Sequence, residues 1–264
     1  MAKIGIIGIG NMGLAILKGL LHVYDKEDLM FTDVNKDRCT QITEELGVLH
    51  ADHNGQLAGN AKYIVLAVKP QYFTPVLADI RNAVSEKNVI ISIAPGITTT
   101  QLKEKLGDEK RVVRAMPNTP ALLGEGMTGV CYEKGVFSDE EQNAIKNIFS
   151  SLGKMRIVEE RLMNAVVCVS GSSPAYVYMF IEALADSAVK YGLPRDAAYE
   201  MAAQTVLGSA KMVLETGEHP GALKDKVCSP GGTTIAGVSA LEEHGLRNAV
   251  IKAADACFKK CTEF

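Results

Sequence analysis

KIGIIGIGNMGLAILKGLL, residues 3–21, changes character in its middle. Lys3 to Ile7 has no helical period and reads as a buried strand. Beyond Gly13, the residues Leu14, Leu17, Leu20 and Leu21 recur at helical spacing. Between the two lie Gly8, Gly10 and Gly13 in the spacing G-x-G-x-x-G. Glycine costs conformational entropy in any regular element, so three this close imply that something must approach the backbone. The strand–turn–helix context makes the stretch a dinucleotide fingerprint. Gly8 allows the tight turn, Gly10 lets a pyrophosphate come close, and Gly13 lets the helix pack on the strand. The helix N-terminus faces the anion, and Ile9, Asn11 and Met12 complete the candidate cofactor loop. The plainer reading is a glycine-rich turn with no ligand.

Outward from this unit, the first half alternates strands and helices. LMFTD (29–33) reads as a short strand and NKDRCTQITEELG (35–47) as a helix stopped by Gly47. AKYIVLAV (61–68), NVIISIAP (88–95) and RVVRAMP (111–117) are further strands. GMTGVCYE (126–133) looks like an added strand, and SDEEQNAIKNIFSSLG (138–153) like a helix with Ser138 as N-cap. Strands separated by helices predict an α/β fold: an N-terminal Rossmann domain, a doubly wound parallel sheet, over residues 1–158. After about Val158 strand signals vanish, and residues 159–264 are expected to form a C-terminal all-α domain. Its helix from Asp196 to Thr216 is apolar on most of its circumference, which points to burial on most sides and hence to a subunit interface. An intrachain core helix would show the same pattern.

The bulk numbers exclude several classes. A net charge of −3 offers no basic footprint for nucleic acid. The apolar window Val166–Ala185 contains Ser-Gly-Ser-Ser-Pro and Glu182, so no membrane span is expected. Residue 3 passes straight into a strand without a cleavage pattern, so no signal peptide is expected either. The 6 cysteines contain no C-x-x-C and the 5 histidines no H-E-x-x-H. No metal site is expected, and Cys257 and Cys261 read as a packing pair on a helix. A reduced, cytoplasmic protein fits this pattern.

Ligands of doubly wound sheets bind beyond the carboxyl ends of the strands. Asp33, twenty residues past Gly13, stands where an acid holds the adenine ribose 2′-hydroxyl, which favours NAD. Lys36 and Arg38 follow at once and would suit a 2′-phosphate instead. Ala67, Val68, Lys69 and Pro70 end another strand on the nicotinamide side, and Ala94 ends the next. In the helical half, CSPGGTTIAG (228–237) puts Gly231, Gly232, Thr233 and Thr234 where a helix begins. Free N–H groups there form a nest that suits a carboxylate; an ordinary capped turn is the alternative.

GIGNMG, AVKP, RAMPNTPA, SGSSPAY, HPGALKD and SPGGTTI occur in the order and approximate spacing of the pyrroline-5-carboxylate reductases, which the chain resembles over essentially its whole length. The resemblance implies reduction of 1-pyrroline-5-carboxylate to L-proline, the last step of proline biosynthesis. It implies NADP(H) as the favoured cofactor with NAD(H) as the second. It also implies a homodimer through the helical domain that assembles further, up to a decamer. It assigns the pyrophosphate to Gly8–Gly13, Asn54 to the adenine ribose or its phosphate, and Ala67–Pro70 with Ala94 to the nicotinamide ribose. Ser229, Gly231, Gly232 and Thr233 would hold the substrate carboxylate, and the Thr234 hydroxyl would meet the ring nitrogen as the catalytic contact. The chain departs from the family pattern at Pro95, which has no N–H to offer, and at Asp33. Competing readings are a β-hydroxyacid dehydrogenase or imine reductase, a methyltransferase, and an NAD(P)-binding redox sensor without turnover. The dehydrogenase needs a lysine early in its interdomain helix, and SGSSPAYVYMF is followed by none until Lys190.

Overall fold

In the computed structural model, which describes residues 2–263, the opening stretch is strand β1 (Ala2–Ile7) followed by helix α1 (Asn11–Leu20). The chain continues through β2 (Leu29–Thr32), α2 (Lys36–Leu46), β3 (Leu49–His50), α3 (Asn54–Asn60), β4 (Ala61–Leu66), α4 (Phe73–Ile80), β5 (Val89–Ser92), α5 (Thr99–Leu106) and β6 (Arg111–Met116). Then come β7 (Gly126–Tyr132), α6 (Asp139–Ser150) and β8 (Gly153–Ile157). The sheet order is β3-β2-β1-β4-β5-β6-β7-β8. All neighbours are parallel except β6 and β7. This is the doubly wound sheet expected of the sequence, with two strands beyond it. β3 has two residues, and β8 is GKMRI, a five-residue strand in which Lys154 and Arg156 alternate with Met155 and Ile157.

The sheet is buried on both faces, so its strands read as continuous apolar runs while their side chains alternate. Ile4, Ile6, Val65 and Ile91 pack with Ile16, Leu17 and Leu20 of α1 and with Ile145, Ile148 and Phe149 of α6. Ile7, Ile64, Leu66 and Ile90 face the other way, onto Leu57 of α3, Leu77 and Ile80 of α4, and Leu102 of α5. Local chemistry sets the helix ends. Ser138 and Glu141 form a capping box at α6, Asn35 caps α2, and Gly47 ends α2 in the left-handed region at φ 69°.

Helix α7 (Met163–Val166) runs into a π-helical turn at Val167–Gly171. Beyond it lie α8 (Ser173–Lys190), α9 (Arg195–Thr216), α10 (Pro220–Val227), α11 (Thr233–Glu243) and α12 (Leu246–Cys261). The chain divides into two compact units, residues 1–172 with 257–264, and residues 173–256. The sheet ends at Ile157, next to the boundary read at 158/159, but the first unit extends past it. Met163, Val167 and Cys168 are buried there, and residues from 257 onward return to it.

The second unit has a meagre core. Among the described residues, its buried cluster is Ala185, Ala198 and Ala202, backed by Ile181, Ala188, Val189 and Leu193. Met201, Leu207, Met212 and Leu214 of α9 stand exposed, as do Tyr178, Met179 and Ile251. The stretch Glu160–Lys190 has the length and mean hydropathy of a membrane span, with 11% of its most apolar window buried. It is nevertheless interrupted by the π turn and carries Arg161, Glu182 and Asp186.

Phe149, fully buried in the core on the α1 side of the sheet, tests this packing. Phe149→Ala should cost about 3–5 kcal/mol, read from urea denaturation. Val34→Ala, at a side chain 95% exposed, should stay within about 0.5 kcal/mol.

Candidate active site

β1, β4, β5 and β6 run in one direction, and the sheet order reverses between β1 and β4. The crevice outside their carboxyl ends at such a switch point is where open α/β sheets bind ligands. Gly8, Pro70, Ala94 and Asn118 all lie just past these ends.

The glycine turn is built as the fingerprint requires. Gly8 has φ 93°, and a Cβ there would stand 2.8 Å from the Ala67 carbonyl oxygen. A Cβ on Gly13 would stand 2.0 Å from the Gly8 carbonyl oxygen. Neither position admits a side chain. Gly10 is the opposite case: nothing lies within 4 Å of its Cβ position. It is the N-cap of α1, and no side chain accepts from the first amides of that helix. Open space at the positive end of a helix suits a phosphate, so this turn fits a dinucleotide pyrophosphate.

The next peptide is held from both sides. The Ile9 N–H donates to Asp33 Oδ2 at 2.7 Å, and Arg38 Nε donates to the Ile9 carbonyl at 2.9 Å. Asp33 Oδ1 accepts the Asn35 N–H at 3.0 Å. Asp33, singled out from sequence as a ribose ligand, here pins the glycine loop to the end of β2. Lys36 donates to the Asp52 carbonyl at 2.5 Å, which ties the start of α2 to the segment after β3. Asn54 is the first residue of α3 and donates to Asp79 Oδ2 at 3.0 Å. Val34 projects into solvent beside these groups as an apolar surface that the sequence reading passed over.

At the other side of the switch point, the Ala67 N–H donates to the Ile7 carbonyl at 2.8 Å, which splices the end of β4 onto β1. Lys69 is exposed and precedes a 3₁₀ turn begun by Pro70. Val68 lies over Gly8. The Ala94 N–H is taken by Ser92 Oγ at 3.3 Å. Asn118, after β6, is a positioning residue that the sequence reading missed as a side chain, although it sits in the quoted RAMPNTPA. Its Oδ1 accepts the Met127 N–H at 2.9 Å and its Nδ2 donates to the Ser170 carbonyl at 3.0 Å, inside the π turn.

The nest residues lie in the second unit. Gly231 has φ 68° and Gly232 is the N-cap of α11, with no side chain to close the amides of Thr233 and Thr234. The Gly232 N–H donates to the Ser229 carbonyl at 3.0 Å. A Cβ on Gly232 would stand 2.4 Å from Ser229 Oγ. This helix start can therefore receive a carboxylate oxygen from Thr233 and Thr234, with a hydroxyl at each position.

A concavity of about 960 Å³ lies elsewhere, lined by Thr99, Lys103, Glu133, Glu159 and Glu160. It sits beyond Tyr132 and Ile157, the ends of β7 and β8, away from the glycine loop.

This geometry has close relatives. The pyrroline-5-carboxylate reductase of Escherichia coli is 48% identical over 261 residues, 98% of this chain and 96% of its own. The chain belongs to the pyrroline-5-carboxylate reductase family. Residues 160–264 match the model described as pyrroline-5-carboxylate reductase dimerisation, and residues 3–96 the model described as NADP oxidoreductase, coenzyme F420-dependent. Among solved structures, the pyrroline-5-carboxylate reductase of Coxiella burnetii superposes with a TM-score of 0.92 at 36% identity, covering 99% of this chain and 98% of its own. The pyrroline carboxylate reductase of Plasmodium falciparum, solved with NADP bound, gives 0.88 at 33% identity, covering 99% and 97%.

The hold on Ile9 can be tested directly. Asp33→Ala removes a charge-assisted acceptor worth about 1.5–3 kcal/mol. It should weaken binding of NADH and NADPH alike by about tenfold or more, measured by calorimetric titration. Asp33→Asn keeps one acceptor oxygen where the carboxylate uses two, and should recover only part of the loss. Wild-type affinity in Asp33→Ala would mean that the loop stands without it.

Proposed function

We propose that this chain reduces 1-pyrroline-5-carboxylate to L-proline, the last step of proline biosynthesis, with NADPH as favoured and NADH as second hydride donor. One observation carries the reading: a single chain combines an open dinucleotide cradle at Gly8–Gly13 with an uncapped, glycine-preceded helix start at Ser229–Thr234. Membership of the family and an NADP-bound relative support it.

The bound nicotinamide supplies the hydride, which is the hard chemistry of the reaction. The chain's own residues bind and orient. The amides after Gly10 hold the pyrophosphate, and Ala67–Pro70 with Ala94 border the nicotinamide ribose. Lys36 and Asn54 lie on the adenine side, where a 2′-phosphate would add negative charge. Asp33 opposes that charge, but each of its oxygens already accepts a backbone N–H. Ser229, Gly231, Gly232 and Thr233 receive the substrate carboxylate. The Thr234 hydroxyl stands at the ring nitrogen. An iminium carbon accepts hydride far more readily than a neutral imine, so the site's task is to orient a zwitterion and keep its nitrogen protonated. Backbone donors and one hydroxyl are suited to that work.

The exposed faces of α8 and α9 support a homodimer formed through the helical unit, which we extend to a higher assembly, up to a decamer. The same partner surface accounts for the apolar stretch at 160–190 without a membrane. A cytoplasmic location accords with six free cysteines, and a net charge of −3 with the lack of a nucleic-acid partner.

Purified protein mixed with NADPH and pyrroline-5-carboxylate should oxidise the cofactor, followed by nicotinamide absorbance; no oxidation with either cofactor would overturn the reading. Thr234→Ala should lower turnover by roughly ten- to a thousandfold, because a hydroxyl positions the nitrogen and is too weak an acid to be its sole proton source. Thr234→Ser should keep most activity. Gly232→Val drives a side chain into Ser229 and should raise the KM for substrate with little change in NADPH affinity. Leu207→Glu, on the exposed face of α9, should shift the assembly towards smaller species in sedimentation, since an unpaired charge at a dry interface is costly.

A further inference from the structure

Cys257 and Cys261, one helical turn apart on α12, do not form a pair alone. The fold brings Cys168 of the π turn beside them, and the three sulfur atoms lie within 4.8 Å of one another. Cys168 and Cys261 are buried and Cys257 half-buried. Their place in the chain is particular. The first unit ends its main segment at Ser172 and resumes at Cys257. The three thiols therefore stand at the neck, where the chain leaves this unit for 173–256 and where it comes back. Among the described residues, no other group of three histidine, cysteine or acidic side chains converges in this way.

We propose that Cys168, Cys257 and Cys261 bind one divalent thiophilic cation of the zinc type, which ties the two ends of the helical unit together. The donor set is soft, with three sulfurs and no carboxylate or imidazole, as d¹⁰ cations prefer. Zinc–sulfur bonds are about 2.3 Å, so three sulfurs on one ion stand about 4 Å apart. Movements of under about 1 Å bring the present sulfurs to that spacing. Ser172 Oγ lies 3.3 Å from Cys257 Sγ and marks the side left for a fourth ligand.

Charge selects the valence. Three thiolates around a divalent ion carry one net negative charge. Burial, then Cys257, raises the Cys261 thiol, and Arg114, with a side chain 4% exposed, acts against that rise. Its own carboxylate, Glu160 at 3.7 Å, also takes hydrogen bonds from the Thr99 N–H and hydroxyl, and Asn164 is 3.3 Å from the guanidinium. A monovalent ion would leave two negative charges in the same place. Burial, then the neighbouring Cys257, pushes the Cys168 thiol up to about 12. Binding forms three metal–sulfur bonds and releases three protons to solvent.

The test uses the full chain, reduced and freed of metal, with cadmium(II) as probe. Cadmium should bind at one ion per chain by native mass spectrometry, with a thiolate-to-metal ultraviolet band. It should protect Cys168, Cys257 and Cys261 from alkylation while leaving Cys228 reactive, and zinc(II) should displace it. Cys168→Ser and Cys261→Ser should weaken binding at least tenfold, and Cys228→Ser should not. Peptide mapping of the wild type reads the same site without relying on variants that fold poorly. No band, a band unchanged in Cys168→Ser, or protection confined to other cysteines would overturn the proposal.

Discussion

The absence of room between β1, α1 and β4 is the constraint on which the rest depends. Gly13 rests against the Gly8 carbonyl, Gly8 turns under Ala67 and Val68, and neither can carry a side chain. Because of that contact α1 leaves the strand at one angle, with its positive end open at Gly10. The same angle lays Ile16, Leu17 and Leu20 on the sheet, where they share one core with Phe149 of α6. Core packing and ligand geometry are thus one decision made within six residues. Asp33 extends it sideways: by accepting the Ile9 N–H, the end of β2 holds the loop that β1 has formed.

The two units solve opposite problems. The first buries its sheet on both faces within a single chain. The second buries three alanines and leaves Leu, Met and Tyr side chains uncovered. Small residues let α8 and α9 approach closely, but alanines contribute little apolar area. Such a unit has the surface of half a core, which accords with the match of residues 160–264 to a dimerisation model.

What was legible followed from local rules. The strands of the first half were plain because burial on both faces makes them unbroken apolar runs, and Ser138 and Gly47 announced helix ends through their own hydrogen bonds and dihedral angle. β3 was too short to have a period, and β8 alternates Lys154 and Arg156 with Met155 and Ile157 over too few residues to stand out. The glycine loop and the SPGGTT helix start were legible as motifs. The hold of Asp33 on the glycine loop and the bridge made by Asn118 were not, because they depend on partners 24 and 52 residues away. The cysteine neck was hidden for the same reason. Spacing showed only the pair on α12, and the third thiol arrives through the π turn.

The interrupted course of the first unit has a consequence for biosynthesis. Domains generally fold as units while the chain emerges, yet this one takes residues 257–263 from beyond the helical unit. On the ribosome, the sheet can assemble once β8 has emerged, but the buried sulfur of Cys168 lacks Cys257 and Cys261 until 173–256 have also been made. The nascent sheet unit must wait with an unsealed seam at the π turn. The order of synthesis therefore makes closing this seam the last event in the first unit, after the helical surface that seeks a second copy has already appeared.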